Sequence, residues 1–197
     1  MQKPNNYDNT QSLGGFTPIE LGGHILVIKK IEEVKSKTGK DMIKISLDTD
    51  RTDSQPHYYT DRWKNDTRDN KRWGCIVNQL ILDNEGNTSK GFKTFIEVIK
   101  NSNQGLTDDK IFGNFPLETN LKGKLVGGVF GREEYLNSYG ESKFAIKCTG
   151  FRTVQDVKEG KVEAPKDKLL APATDYNNSY NSGFDDVAPI DDGDMPF

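Results

Sequence analysis

Alternation of apolar and polar residues is the feature of this 197-residue sequence that most constrains its fold. After Gly39, the side chains of Ile43, Ile45 and Leu47 fall on one face of an extended chain, because successive strand residues point to opposite sides. A stretch rich in β-branched residues, 22–34, precedes the glycine, which supplies the positive φ of a tight turn. The pattern predicts a β-hairpin at the start of the folded body.

Further along, the pattern predicts a short strand over 57–60 and a second hairpin with its tip at 137–140. Between them, helical spacing predicts one helix around Trp73, Ile76, Val77, Leu80 and Ile81, and a second, capped by Thr88 or Ser89, around Phe92, Phe95, Ile96 and Ile99. The predicted order is three strands, one or two helices and two strands. We therefore expect a mainly β fold with five strands and a helical insert between strands 3 and 4.

Charge divides the chain into a body and a tail. The whole sequence has a net charge of −3, but residues 159–197 carry −6, which leaves +3 on the rest. The tail has isolated aromatic residues and no apolar periodicity, so it cannot bury enough surface to offset its chain entropy. We expect three regions: a flexible arm over 1–20, a folded domain over 21–158, and a disordered acidic linker with a terminal peptide over 159–197.

Residue usage gives little support to catalysis or metal binding. Cys75 and Cys148 are far apart, each within an apolar pattern, and are expected to be buried free thiols. His24 and His57, the two histidines, have no zinc-ligand spacing. There is no signal peptide and no long apolar run, so the sequence predicts a cytoplasmic protein. We expect no catalytic residue, metal or cofactor.

The C-terminal residues have the chemistry of a ligand. Phe197 offers a ring and a carboxylate on one residue, Pro196 restricts the backbone, and nearby aspartates would contact a basic rim on a partner. A merely solubilising acidic end is the alternative interpretation. The predicted partner-binding tip comprises Asp191, Asp192, Asp194, Met195, Pro196 and Phe197.

This tip resembles that of bacterial and phage single-stranded DNA-binding proteins (SSBs), and the strand order over 22–153 is similar to that family's OB fold. The resemblance implies a five-stranded OB barrel that binds single-stranded DNA without reading its sequence and recruits replication, recombination and repair proteins through the tail. The insert and the connection over 102–122 are larger than in simple bacterial SSBs. They favour a phage- or plasmid-type relative and leave the usual homo-oligomer open.

Binding single-stranded DNA requires cations for phosphates and aromatic faces for bases. The stretch 57–73 supplies five cations among four large aromatic residues. Trp73 falls on the apolar face of the predicted helix and is expected in the core, whereas Trp63 lies in a polar run and is either a stacking platform or a packed residue. The predicted contacts here are Tyr59, Arg62, Trp63, Lys64, Arg68 and Arg72.

The two hairpin tips provide the other predicted contacts, because the loops between strands 1–2 and 4–5 flank the groove of an OB fold. The first loop offers Lys35, Lys37 and Lys40, although lysine at a hairpin tip is often merely solvated. The second hairpin offers Arg132, Tyr135, Tyr139, Lys143 and Lys147, with Phe144 as a further aromatic residue of the same stretch.

Two other functions remain open at this stage. The carboxylates between Asp48 and Asp69 could hold Mg²⁺ in a metal-dependent nuclease, but they alternate with Arg and Lys and are explained more simply as loop charges. An OB-fold adaptor that only presents the tail is the second alternative. RNA as the nucleic acid is not distinguished from DNA, because stacking and phosphate contacts serve both.

Overall fold

The chain forms one antiparallel sheet of five strands with helices packed against it, in a computed structural model that describes residues 3–5, 7 and 17–170. The strands are β1 (Gly22–Lys35), β2 (Asp41–Thr49), β3 (Ile76–Leu80), β4 (Leu125–Leu136) and β5 (Ser142–Arg152). The helices are α1 (Tyr58–Asn65), α2 (Lys90–Ser102), α3 (Asp108–Ile111), α4 (Leu117–Leu121) and α5 (Val154–Lys158). The sheet order is β3-β2-β1-β4-β5, and the sheet is not closed. The expectation of a mainly β fold with five strands is confirmed.

The first hairpin is confirmed, with its turn at the predicted position. β1 pairs with β2 from Leu26↔Thr49 to Lys35↔Asp41, and Gly39 has φ of 83° in the turn. The side chains of Ile43, Ile45 and Leu47 are fully buried, as their alternation predicted. The apolar face of this hairpin is one wall of the core.

The third strand is not where the sequence predicted it. Residues 57–60 were expected to be extended, but Tyr58 begins helix α1, and β3 is Ile76–Leu80, within the region predicted to be helical. β3 pairs with β2 from Ser46↔Ile76 to Met42↔Leu80. The helical prediction failed because the backbone of β2 needs a hydrogen-bonded neighbour, which is a tertiary requirement, and the β-branched Ile76 and Val77 suit it.

The predicted second helix is confirmed as α2. Ser89 is its N-cap, and its hydroxyl accepts a hydrogen bond from the Phe92 amide at 3.2 Å. The apolar face of α2 packs against β3, β4 and β5 and consists of Phe92, Phe95, Ile96 and Ile99. The connection over 102–122 contains the short helices α3 and α4, whose residues Ile111 and Leu121 are fully buried.

The second hairpin is also confirmed, with β4 and β5 paired from Gly127↔Arg152 to Leu136↔Ser142. Beyond it, residues 161–170, which we call the C-terminal strap, run along the body. Val162 lies against Gly23, Pro165 lies against Gly131, and Lys168 forms a parallel bridge with Glu133. The stretch 159–170, which the sequence placed in the linker, is thus packed on β1 and β4.

Several predicted features lie outside the described residues. These are most of the arm over 1–20, the tail beyond 170 and the whole tip from Asp191 to Phe197. Among the helices of the described part, none is long and apolar enough to cross a membrane. The cysteines are free, as predicted, and burial raises the pKa of both thiols, that of Cys148 to about 12.

Candidate nucleic-acid interface

Helix α1 is held in place by polar side chains at the end of β2. The buried carboxylate of Asp48 accepts hydrogen bonds from the amides of Tyr59 and Thr60, at 3.0 and 3.2 Å, and from the Thr60 hydroxyl. A carboxylate at the first turn satisfies amides that have no partner within the helix. Thr49 Oγ1 adds a contact by accepting from the Tyr58 amide at 2.8 Å. The helix is therefore fixed at its start, and the polar residues that follow face outward.

Trp63 is an exposed aromatic residue in a basic segment. Its side chain is 40% exposed, and Lys71 Nζ lies 3.8 Å from the centre of the indole ring. Residues 61–72 contain five Arg or Lys and three Asp, so this surface is basic. An exposed ring with cations beside it can stack on a base while the cations contact phosphates.

The cations around Trp63 differ in the contacts that they make within the protein. Arg68 is held by Asp66 through a bidentate pair, with Nη2 2.7 Å from Oδ2, and this pairing lowers the pKa of Asp66 to about 2. Lys64 Nζ lies 3.8 Å from the carboxylate of Asp61, at the limit of an ion pair. Arg72 has an exposed side chain, and Arg62 is also exposed but has a side-chain hydrogen bond with Tyr58. The structure thus brings Trp63 together with Lys71 and places Arg68 in an ion pair.

The β4–β5 hairpin presents a second aromatic and basic surface. Tyr139 at the tip is 87% exposed, and Phe144 is 46% exposed with the Arg132 guanidinium 5.6 Å from its ring centre. Tyr135 is half-buried and pairs across the strands with Lys143. Phe144, an aromatic residue that the sequence placed in this stretch, is thus a stacking candidate beside Tyr139.

Carboxylates engage the hairpin cations. Lys143 lies 3.4 Å from Glu141, and Lys147 lies 3.1 Å from Glu133, which also contacts Lys168 of the strap at 3.0 Å. Burial opposes ionisation of Glu133, but the two lysines outweigh it and lower its pKa. The hairpin is therefore less basic than the Trp63 surface, because its positive charges are largely balanced.

Tyr59 does not belong to this interface. Its side chain is 3% exposed, and its ring stacks on Phe130 of β4 at 6.4 Å between ring centres. The prediction that it contacts DNA is wrong, because helix geometry turns Tyr59 toward the core. Trp73 is half-buried and packs on the core as predicted, with Nε1 donating to the carbonyl of Leu47 at 2.7 Å.

The loop between β1 and β2 follows Lys35, at the opposite end of β1 from Gly22, which pairs with Phe130 of β4. Within the loop, Lys35 pairs with Asp41 at 2.5 Å, Lys40 Nζ donates to Asn84 at 2.6 Å, and Lys37 is exposed. Two of the three predicted lysines of this loop therefore have partners within the protein.

The outward face of β2 and β3 was missed by the sequence analysis. Lys44 pairs with Asn78 and Ser46 with Ile76, and these four side chains are half-buried on the side away from the core. The carboxamide oxygen of Asn78 is buried and, in the described part of the chain, has no hydrogen-bond donor. On β2, Lys44 and Ser46 alternate with the buried Ile43 and Ile45. This alternation could have identified the β2 part of the face from the sequence.

The carboxylates considered for a metal have structural roles. Asp48 anchors α1, Asp50 accepts from the amide and hydroxyl of Thr52, and Asp53 pairs with His24 at 2.8 Å. Asp66 holds Arg68. Within residues 17–170, no group of three or more His, Cys, Asp or Glu side chains is arranged to hold a metal ion.

Comparison with known proteins adds no relative. No protein-family model matches the chain, and no curated protein matches it significantly.

Proposed function

We propose that the chain is a sequence-independent single-stranded DNA-binding protein, without catalytic activity, that coats exposed strands during replication, recombination or repair. One observation carries the proposal: Trp63 presents a partly exposed ring, with Lys71 over one of its faces, within a segment of five cations and three carboxylates. Binding single strands of any sequence uses aromatic faces for bases and cations for phosphates, and this segment offers both.

The sheet belongs, in this proposal, to a five-stranded OB barrel. The order β3-β2-β1-β4-β5 supports it, since an OB barrel opened at the seam between its third and fifth strands has this order. The helices α2, α3 and α4, which lie between β3 and β4, occupy the position of the predicted insert. The SSB resemblance of the tip over Asp191–Phe197 gives independent support from the sequence.

The strand would run from the Trp63 surface across the outward face of β2 and β3. Exposed Trp63 and the hairpin residues Tyr139 and Phe144 would stack on bases, each stacked base contributing about 1–3 kcal/mol. Arg62, Arg72 and Lys44 would contact phosphates and release counterions. Binding through ring faces and phosphates tolerates any sequence, which is what coating a strand requires.

Recruitment would use the tip, whose Phe197 ring and carboxylate would fit an apolar pocket beside basic residues of a replication protein. The strap carries the chain to Leu170, whose amide donates to Glu134 of β4 at 3.0 Å. The remaining 27 residues, with six aspartates and no basic residue, therefore start beside the second hairpin. A partner could bind the tip while the body stays on DNA.

Titration of fluorescein-labelled oligo-dT, at two salt concentrations and with labelled duplex alongside, tests the proposal. We expect tight binding to oligo-dT that weakens with salt, with a log–log slope of about −0.7 for each phosphate contact, and little binding to duplex. The absence of binding to oligo-dT at low salt would refute the proposal and leave an adaptor as the better description. Metal-dependent cleavage of the oligonucleotide would instead identify a nuclease.

A further inference from the structure

The turn between α3 and α4, residues 112–116, is held in place by buried neighbours and hydrogen bonds. Ile111 before it and Leu121 after it are fully buried. The side-chain amide of Asn120 donates to the carbonyl oxygens of Ile111 and Phe115, both at 2.9 Å, and so clamps the two ends of the turn. At Gly113 a Cβ would clash with the carbonyl oxygen of Asp109, so the path of the chain here requires glycine. These contacts therefore hold the backbone of the turn in one conformation.

This turn presents two phenylalanine rings to solvent. Phe112 is 56% exposed and touches Phe92 at one edge, and Phe115 is 67% exposed. Burying each ring in a complex would contribute on the order of 1–2 kcal/mol. Because the turn is already ordered, little conformational entropy would be lost on binding. Two exposed rings on an ordered turn are typical of a docking surface.

The adjacent surface is acidic. Pro116 follows Phe115 and lines an open depression together with Lys30, Ile31, Glu32, Glu33 and Glu118. Lys30 Nζ pairs with Glu32 at 2.8 Å and also interacts with the charge of Glu118, so the one lysine and three glutamates that line the depression leave it with a net charge of −2. The rings and the depression together are called the aromatic–acidic surface.

We infer that the aromatic–acidic surface docks a basic protein segment that carries an aromatic or aliphatic anchor. The anchor would pack on Phe112 and Phe115, and Lys or Arg side chains would pair with Glu33 and Glu118. The same carboxylates disfavour two other occupants, since single-stranded DNA and this chain's own tail are both polyanions. The partner differs from the one that binds the acidic tip, which must itself be basic around its pocket, and the inference does not depend on DNA binding.

Nuclear magnetic resonance of the full ¹⁵N-labelled chain provides the test. Three probes are titrated: a synthetic heptapeptide Lys-Leu-Lys-Trp-Lys-Leu-Lys, its analogue with Glu at every Lys, and oligo-dT. We expect the basic peptide alone to shift the amide signals of Phe112, Phe115 and Glu118. Equal shifts with the acidic peptide, or shifts of these signals with oligo-dT, would overturn the inference.

Variants locate the binding. Phe115→Ser, which removes a ring with little packing, should weaken binding of the basic peptide at least fivefold. The double variant Glu33→Lys with Glu118→Lys should bind the acidic peptide more tightly than the basic one. Tyr139→Ser is the matched control, because it removes an aromatic ring that is 87% exposed on the second hairpin, and it should leave peptide affinity unchanged. An equal loss with Phe115→Ser and Tyr139→Ser would show that the peptide has no defined site and would refute the surface.

Discussion

Arg132 of β4 and Asp167 of the C-terminal strap form a bidentate ion pair, with Nε 2.9 Å from Oδ1 and Nη2 2.7 Å from Oδ2. The backbone supports the pair, because the Lys168 amide donates to the carbonyl of Arg132 at 2.9 Å and the Glu134 amide donates to the carbonyl of Lys168 at 2.8 Å. Two side-chain and two main-chain hydrogen bonds thus fasten the strap to β4. The charge of Arg132 is balanced within the protein.

Removing Asp167 should free this guanidinium for phosphate. We expect Asp167→Ala to strengthen binding to oligo-dT about two- to fivefold at low salt, since an exposed pair contributes roughly 0.2–1 kcal/mol. Fluorescence titration measures the change. Glu163→Ala is the control, because it removes the same charge from the strap at an exposed position without a contact to Arg132. An equal gain in both variants would mean that only net charge matters.

Trp63→Ala should weaken oligo-dT binding about tenfold, which corresponds to the loss of one stacked base at ~1–3 kcal/mol. The fold should be unaffected, because the indole is 40% exposed and lies outside the core. Leu82→Ala is the comparison, since Leu82 is 38% exposed and lies outside the proposed interface. Both variants are titrated with oligo-dT at one salt concentration. An unchanged affinity of Trp63→Ala for oligo-dT would refute the role of Trp63 as a stacking platform.

Deleting residues 191–197 should separate the two proposed functions, DNA binding and partner recruitment. We expect oligo-dT affinity to stay the same or rise slightly, because three carboxylates are removed, whereas partner binding should be lost. Oligo-dT titration measures the first, and capture of replication proteins by an immobilised peptide of residues 185–197 measures the second. A peptide with Phe197→Ser is the control. Weaker binding of the truncated chain to naked DNA would contradict the role of the tip as a protein ligand.

His24 and Asp53 form a buried ion pair that should make stability depend on pH. Both side chains are at most 3% exposed, and His24 Nε2 also contacts the carbonyl of Glu20 at 3.1 Å. Burial opposes the charge on each, but their interaction outweighs it, so the pKa of His24 is raised above 6.5 and that of Asp53 is lowered below 3.8. The contribution of His24 is full below pH 6.5 and lost as pH rises through its raised pKa. That of Asp53 is full above pH 3.8 and lost as pH falls through its lowered pKa.

We therefore expect His24→Gln to lower the free energy of unfolding by about 3 kcal/mol between pH 4 and 6.5 and by less at pH 9. Urea denaturation of the two proteins at several pH values gives the comparison. Asp53→Asn serves as a second variant, and it should also lose the hydrogen bond from the Ile25 amide, which is 2.6 Å long. A constant difference from pH 5 to 9 would mean that His24 titrates alike in the folded and unfolded states and would contradict its raised pKa.

Local patterns were sufficient for the two hairpins and for α2. Gly39, the alternation of Ile43, Ile45 and Leu47, and the cap at Ser89 act within a few residues, so the sequence predicted these elements with their correct faces. For the interface, residue type alone selected Trp63 and Arg132. It did not reveal that Arg132 is paired with Asp167, because the two residues are 35 positions apart.

The position of β3 was decided by tertiary structure. Residues 73–81 have helical apolar spacing, yet five of them pair with β2, because an unpaired strand edge would leave backbone groups without partners. In the same way, the carboxylate of Asp48 caps residues 58–60 and makes them the start of a helix that buries Tyr59. The sequence by itself determined the strand-rich body, the acidic tail and the tip. Only contacts between residues distant in the chain decided which aromatic rings face solvent, since burial depends on what packs against a side chain.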